Sequence, residues 1–382
     1  MSINNLIENY FHMSFSYNEI LTHLSSNGID ISLRTLKRKL KKLGLYKRIN
    51  YTPMNIVREY LENCILSSNQ LHGYKWMHRK CIGVGFVVKQ ETVRILLKII
   101  DPEGVEIRSR KRLRRRQYYN PGPNYTWHTD CYDKLKPYGI SISGCIDGFS
   151  RLILWLEAAP SCSDPRAIGS FYLNTVEALR GCPITLRFDK GTENRHIEQF
   201  QQFLRRNNTS RRPSFLYGTS PSNQRIESWW SILRKHFTQF WMDVFCQLKN
   251  DGLFSGTFLD KNLIRFCFLN IIKKELKEIM QEWNIHRIGK SKNSICCYGR
   301  PITMFEIPEE YNTIDFIHTI EISELQLCKN ENMYSTNICC DETVYELCNI
   351  ILAEKRIAIP DDPYSIIDVY IMLRNTIQEI IN

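Results

Sequence analysis

Near the N-terminus apolar residues recur with a helical period. Leu6, Ile7, Tyr10 and Phe11 share one face, Ile20, Leu21 and Leu24 a second, and Leu33, Leu36, Leu40 and Leu43 a third. Asn27-Gly28 marks a turn before the third helix, Ser32 is placed to cap it, and Gly44 to end it. The opposite face of that helix carries Arg34, Lys37, Arg38, Lys41 and Lys42. A short basic helix after a helix and a tight turn is the layout of a helix-turn-helix, whose last helix enters the major groove of DNA. A solvated basic face on a small bundle is the plainer alternative. Residues 51–107 repeat the idea: Gly73-Tyr74-Lys75-Trp76-Met77-His78 begins a helical stretch, and residues 84–88 lead into another from Glu91 to Lys98.

From Tyr125 the pattern changes to strands alternating with helices. A first strand ends near Asp130, a second covers about 140–146, and Asp147-Gly148 turns into a third at 152–156. Asp164-Pro165 opens a helix with Ile168, Phe171, Tyr172, Thr175, Val176 and Leu179 on one side, and Gly181 ends it. Residues 184–188 are the fourth strand, 193–205 a helix, and 215–217 a short fifth strand. Ser220 is expected to cap and Pro221 to open the next helix, where Ile226, Trp229, Trp230, Leu233, Phe237, Phe240, Trp241 and Val244 keep helical spacing. A three-stranded meander followed by helix, strand, helix, strand, helix predicts an α/β domain with a mixed sheet.

Composition sharpens this outline. The chain has 382 residues, 43% hydrophobic and 12% aromatic, enough for about two or three cores. No signal-peptide pattern and no apolar run near the ~20 residues of a membrane span is present, so a soluble, intracellular protein is expected. Fourteen cysteines include no C-x-x-C, and reduced thiols are the expectation. The net charge of +11 hides an asymmetry: residues 302–382 hold 15 acidic and 4 basic residues, leaving +22 on residues 1–301. That split suggests a nucleic-acid-facing body and a separate acidic tail domain. The densest basic run, residues 108–116, has seven Arg or Lys in nine positions, including Arg110, Lys111, Arg112, Arg114, Arg115 and Arg116. Such a run neutralises phosphates or serves nuclear import. Asn120-Pro121-Gly122-Pro123-Asn124 closes it as a turn-rich linker.

Three acids stand out: Asp130 and Asp189 at strand ends, and Glu227 early in a patterned helix, 59 and 38 residues apart. Phosphodiester transfer needs an activated nucleophilic oxygen and a stabilised leaving oxygen. Two divalent ions about 3.5–4 Å apart do both, held by carboxylates. Asp130 on a central strand suits the bridging role, with Asp189 and Glu227 each holding one ion. Each acid alone has a plainer reading, Asp189 as a strand-to-turn connection and Glu227 as a surface residue beside the apolar stripe. Asp147 reads as a structural turn residue and His128 as a strand histidine. Asp133 is near enough to Asp130 to be a ligand but ends no strand.

Combined, these contexts resemble a known family. Trp127-His128-Thr129-Asp130, residues 146–151, Phe188-Asp189-Lys190-Gly191-Thr192-Glu193-Asn194 and residues 220–227 resemble the integrase catalytic core of retroviruses, retrotransposons and Asp-Asp-Glu transposases. Trp283-Asn284-Ile285-His286-Arg287 and Gly299-Arg300-Pro301 look like the tail of such cores. More closely, residues 1–301 look like integrase core domain proteins of eukaryotic transposon origin, which carry N-terminal helix-turn-helix units.

The resemblance implies a ribonuclease H-like mixed five-stranded sheet with flanking helices. It implies two Mg²⁺ (or Mn²⁺) ions on Asp130, Asp189 and Glu227, and metal-dependent cleavage and joining of DNA. Lys190, Asn223, Gln224 and Arg225 are then expected near phosphates or bases. Arg34, Lys37, Arg38, Lys41 and the 108–116 run are expected to hold double-stranded DNA. A nuclear location and a homo-oligomer when two ends are joined also follow. The expected division is 1–50 and 51–107 as helix-turn-helix units, 108–124 as basic linker, 125–301 as core, and 302–382 as an acidic, mainly helical region with a protein partner or an intramolecular role. The zinc-binding His-His-Cys-Cys module of retroviral integrases is absent, and 302–382 matches nothing in the family. The alternative is a domesticated, catalytically silent nuclear DNA-binding protein.

Overall fold

Ser2, Ser16 and Ser32 open the first three helices, each accepting a hydrogen bond from the amide three residues on. In this computed structural model residues 2–13, 15–46, 49–66, 72–107, 118–189, 191–207, 212–218, 223–290, 296–334 and 338–381 are described. The three helices are α1 (Ile3–His12), α2 (Tyr17–Ser26) and α3 (Leu33–Lys42). Ile7, Phe11, Phe15, Ile20, Leu24, Leu36 and Leu40 form their common core. Leu33, expected on the buried face of α3, opens the helix and is 39% exposed.

A second unit contains α4 (Met54–Ile65), α5 (Tyr74–Gly83), α6 (Gln90–Ile100) and the short α7 (Pro102–Ile107). Val57, Leu61, Met77, Cys81, Val93 and Leu97 fill its core. Gly85, at φ +89°, makes the turn from α5 towards α6. The basic run 108–116 lies outside the described residues.

The sheet begins with a meander. β1 (Thr126–Tyr132) pairs antiparallel with β2 (Ser141–Asp147), which pairs antiparallel with β3 (Ile153–Ala159). After α8 (Pro165–Leu179) and the two-residue β4 (Gly181–Cys182), β5 (Thr185–Asp189) runs parallel to β1. Then α9 (Arg195–Leu204) crosses to β6 (Phe215–Gly218), parallel to β5. The strand order is β3-β2-β1-β5-β6, the mixed five-stranded sheet expected. Gly181 does not end α8. Arg180 takes the left-handed cap conformation, which leaves Gly181 free to start β4.

α10 (Gln224–Leu233) continues through one π-helical turn, Arg234–Thr238, into α11 (Gln239–Asn250). The 28-residue α12 (Phe258–Ile285) follows. α10, α11 and α12 cover one sheet face, where Tyr132, Ile142, Ile146, Trp229, Phe237, Trp241 and Phe268 share a core. α8 and α9 cover the other, over Trp127, Cys145, Trp155, Leu186 and Phe188. Ser220 and Pro221 lie outside the described residues. The helix described there starts at Gln224, after Asn223.

The segment after Gly299 is α13 (Pro301–Glu306), β7 (His318–Thr319), α14 (Ile322–Asn332), α15 (Glu342–Lys355) and α16 (Ser365–Ile381). Of the two expectations for it, a separate acidic tail and a helix packed within the chain, its contacts match the second. β7 pairs with β4, and Leu325 and Cys328 of α14 join the core under α8 and α9. Val344, Ile351, Tyr370 and Leu373 of α15 and α16 join the core around α12. Its acidic composition describes only its outer surface; its apolar stripes complete both cores.

Both N-terminal units are fastened to this body. Arg300 pairs with Glu19 of α2 at 3.0 Å, and Ile285 and Ile302 pack on the first unit's core. Lys80 of α5 pairs with Glu282 of α12 at 2.9 Å, and Trp76 stacks on His236 of the π-helical turn at 4.7 Å. The fourteen cysteines are free thiols. Among the described residues no helix is long and apolar enough to cross a membrane.

Candidate active site

Side chains alternate along β1 and β5, and this alternation decides what meets at the sheet edge. Trp127, Leu186 and Phe188 point into the core under α8. His128 and Asp130 of β1, and Arg187 and Asp189 of β5, therefore point to the α10 side. β1 and β5 are adjacent and parallel, with His128 opposite Arg187 in register, so the two aspartates leave neighbouring strands in the same direction. α10 packs on β1 and β2 and brings Glu227 in its first turn.

Asp130 and Asp189 both feel neighbouring carboxylates. Burial pushes Asp130 up to about 7; the Trp230 indole and the Cys131 amide pull it down, and the charges of Asp189 and Glu227 push it up. Asp189 is raised by burial first, then by Glu227 and Glu193. The Asp189 Oδ1 atom is buried without a hydrogen-bond partner among the described residues. Repelling carboxylates with an orphaned buried oxygen are a set of hard donors that a divalent cation satisfies. Among the described residues no three His, Cys, Asp or Glu side chains gather as a cage around one ion. Asp130, Asp189 and Glu227 would be the oxygen donors for a divalent cation, which would supply Lewis-acid stabilisation there.

A chain of hydrogen bonds sets α10 against β1. His128 is fully buried, and burial holds its imidazole down at about 3, so it is neutral. Its Nδ1 lies 2.7 Å from Asn223 Oδ1, and its Nε2 2.7 Å from the Tyr118 hydroxyl. An amide oxygen only accepts, so the ring proton sits on Nδ1 and Tyr118 donates to Nε2. Asn223 Nδ2 then donates to the Thr129 carbonyl at 3.0 Å. Asn223 is expected from the sequence near phosphates or bases. It is fully buried with both ends of its amide engaged, so it fastens Glu227's helix to Asp130's strand instead.

Arg225 is also turned inward: its Nε donates to the Gly148 carbonyl at 2.9 Å, and its guanidinium lies over the Tyr118 ring at 4.2 Å. Gln224 is half-buried at the start of α10, and Lys190 lies outside the described residues. Asp147 is structural, as its turn position suggested. It is fully buried and accepts from the amides of Asn124, Phe149 and Ser150 and from the Ser150 hydroxyl. Asp133 bonds Lys136 and Ser141 in a separate turn. Arg34, Lys37, Arg38 and Lys41 are exposed on α3, opposite the buried Leu36 and Leu40.

Two participants had gone unread. Trp230 Nε1 donates to Asp130 Oδ2 at 2.8 Å, and Glu193 adds its charge beside Asp189. The signals were present: Trp230 is three residues past Glu227, on the same helix face, and Glu193 is four past Asp189.

Compared with family models, residues 117–298 match the one described as an integrase core domain. None of the curated proteins compared with the chain matches it.

Proposed function

We propose that the protein is a DNA-cleaving and DNA-joining polynucleotidyl transferase of the ribonuclease H-like kind, a reading supported by the match of residues 117–298 to the integrase core domain model. The observation that carries the reading is the convergence of Asp130, Asp189 and Glu227 at one sheet edge, with mutual repulsion and an unpartnered Asp189 oxygen. Asp130, Asp189 and Glu227 would hold Mg²⁺ or Mn²⁺, which when bound supplies Lewis-acid stabilisation of phosphoryl oxygens and a more acidic water.

The chain's own residues set the geometry for that chemistry. Asp130 sits on the central strand, whose ladder to β2 and β5 keeps it rigid. Asp189 leaves the neighbouring strand end. Asn223 and His128 fix the start of α10, and with it Glu227. The proposed reaction is attack of water on a phosphodiester, freeing a 3′-hydroxyl, which then attacks a second DNA strand. The exposed Arg34, Lys37, Arg38 and Lys41, with the run containing Arg110, Lys111, Arg112, Arg114, Arg115 and Arg116, hold the duplex by charge. Lys190 and Gln224 lie next to the carboxylates in sequence and contact the DNA there. Joining two ends requires a homo-oligomer, and the basic run directs the protein to the nucleus.

Strand transfer with a pool of DNA duplexes in Mg²⁺ or Mn²⁺ tests this, wild type against Asp189→Asn. Joined products from the wild type and none from the variant are expected. DNA binding without cleavage or joining by either protein overturns the reading and leaves a catalytically silent DNA-binding protein.

A further inference from the structure

Asp130 faces a residue without a side chain. In the β1–β2 ladder its partner is Gly144. The indole of Trp230 occupies the space above Gly144: a Cβ there would lie 2.5 Å from Trp230 Cη2 and 3.3 Å from two more ring carbons. From that seat Nε1 reaches Asp130 Oδ2 at 2.8 Å. Tyr132, two residues along β1 and on the same face as Asp130, stacks on the indole at 5.0 Å with 27° between the rings. The ring is thus held from below by a missing side chain and from the side by an aromatic one. Trp230 is 5% exposed, so water does not compete for its N–H.

We propose that Trp230 is the positioning residue that orients the Asp130 carboxylate for divalent-ion binding, and that Gly144 is glycine to admit its indole. This rests on Asp130 being a metal ligand. The chemistry of the donor supports it. An indole N–H donates and never accepts, so it suits a carboxylate that works ionised. It is also uncharged. A Lys or Arg in its place would orient the carboxylate equally well but would repel an arriving cation. Outer partners of this kind hold a ligand's rotation, and their loss typically lowers metal affinity about 10–100-fold. Because Trp230 lies one turn beyond Glu227, a single helix delivers both an acid and the group that aims another acid.

The test is Mn²⁺ titration by calorimetry on the full chain, with strand transfer measured across Mn²⁺ concentrations. The proteins are wild type, Trp230→Phe, Gly144→Ala, the double variant and Asp189→Asn. Phe keeps the stack on Tyr132 but lacks the N–H and the outer ring that meets position 144. Trp230→Phe is expected to weaken Mn²⁺ binding at least about tenfold, with DNA binding unchanged. Its half-saturating Mn²⁺ concentration rises while the rate at saturating Mn²⁺ largely recovers; a merely structural loss would lower the rate at every concentration. Gly144→Ala should show the same loss by displacing the indole, and the double variant should be no worse than Trp230→Phe alone. Mn²⁺ affinity of Trp230→Phe within twofold of wild type overturns the proposal. Should that variant fail to fold, wild-type affinity in Gly144→Ala overturns it equally. If wild type and Asp189→Asn bind Mn²⁺ equally weakly, the metal-site reading itself has failed, and this inference falls with it.

Discussion

Asn223 and Thr129 join two of the three acids mechanically: the Asn223 amide donates to the Thr129 carbonyl at 3.0 Å, one residue before Asp130 and four before Glu227. Asn223→Ala leaves that carbonyl and the His128 Nδ1 proton buried and unpaired. It should lower the urea-unfolding free energy by about 1–3 kcal/mol and depress strand transfer beyond that loss, since Glu227 loses its anchor. Asn223→Asp should be worse, because it offers an acceptor to a carbonyl that needs a donor.

Asp147 and Asp130 should respond in opposite ways to neutralisation. Asp147 accepts four hydrogen bonds in full burial. Asp147→Ala strands those donors and should cost about 3 kcal/mol or more, since each buried unpaired donor costs roughly 1–3. Asp130→Asn removes a charge that Asp189 and Glu227 oppose. Its thermal midpoint without metal should equal or exceed wild type, while strand transfer is lost. Scanning calorimetry in EDTA separates the two.

Residues 302–382 cannot be removed cleanly. Tyr370 donates to the Leu253 carbonyl at 2.9 Å, and Arg374 pairs with the buried Asp260 at 2.9 Å. A chain ending at residue 301 uncovers the α12 core and leaves Asp260 without its cation. Such a truncation should be insoluble or aggregated by size-exclusion chromatography, whereas a clean monomeric core would contradict this packing.

How much of this was legible follows from the range of each signal. Strands and helices of the sheet announce themselves locally, through alternation in β1 to β3 and through the helical spacing of α8 and α10. Asp130, Asp189 and Glu227 were legible because each stands in a local context, a strand or a helix start, although β1 runs on past Asp130 to Tyr132. The partners that hold them were not. Trp230 meets Asp130 across 100 residues, and Asn223 meets Thr129 across 94. An asparagine near basic and acidic residues reads as a polar surface group until burial is known. The 302–382 region misled through charge: 15 acids conceal apolar stripes that only α8 and α12, far away in sequence, complete.

Acid should loosen the second helical unit. His72 is fully buried with neither ring nitrogen hydrogen-bonded by a side chain, beside Trp76 and His236. Burial drives its imidazole well below the ordinary value, and His236, Lys80 and Arg79 push the same way. Glu282 of α12 faces the same joint through Lys80. The folded protein keeps His72 neutral where the unfolded chain protonates, near 6.5. The associated stability is therefore full above that pH and is lost as pH falls below it. Hydrogen exchange in α5 should accelerate between pH 7 and 5.5 more than in β1 or β2, and His72→Phe should flatten that dependence.

DNA binding should be steeply salt-dependent and should lose slope with the α3 cations. Each of Arg34→Ala, Lys37→Ala, Arg38→Ala and Lys41→Ala that removes a phosphate contact should reduce the slope of log affinity against log salt by about 1, with little sequence preference. Fluorescence anisotropy at several salt concentrations reads this directly; an unchanged slope in the quadruple variant would place the duplex elsewhere.

The contact between Trp76 and His236 sets a length. The helix that starts beside Glu227 ends its first stretch, nine residues on, against α5. At a rise of about 1.5 Å per residue that is a strut of roughly 13 Å, with no slack between its ends. The second helical unit and the carboxylates are thus at opposite ends of a gauge. If the proposed function holds and DNA also lies on that unit, it would meet the acids at a set offset, and the position of a cut would be measured out in base pairs from the held sequence rather than chosen afresh.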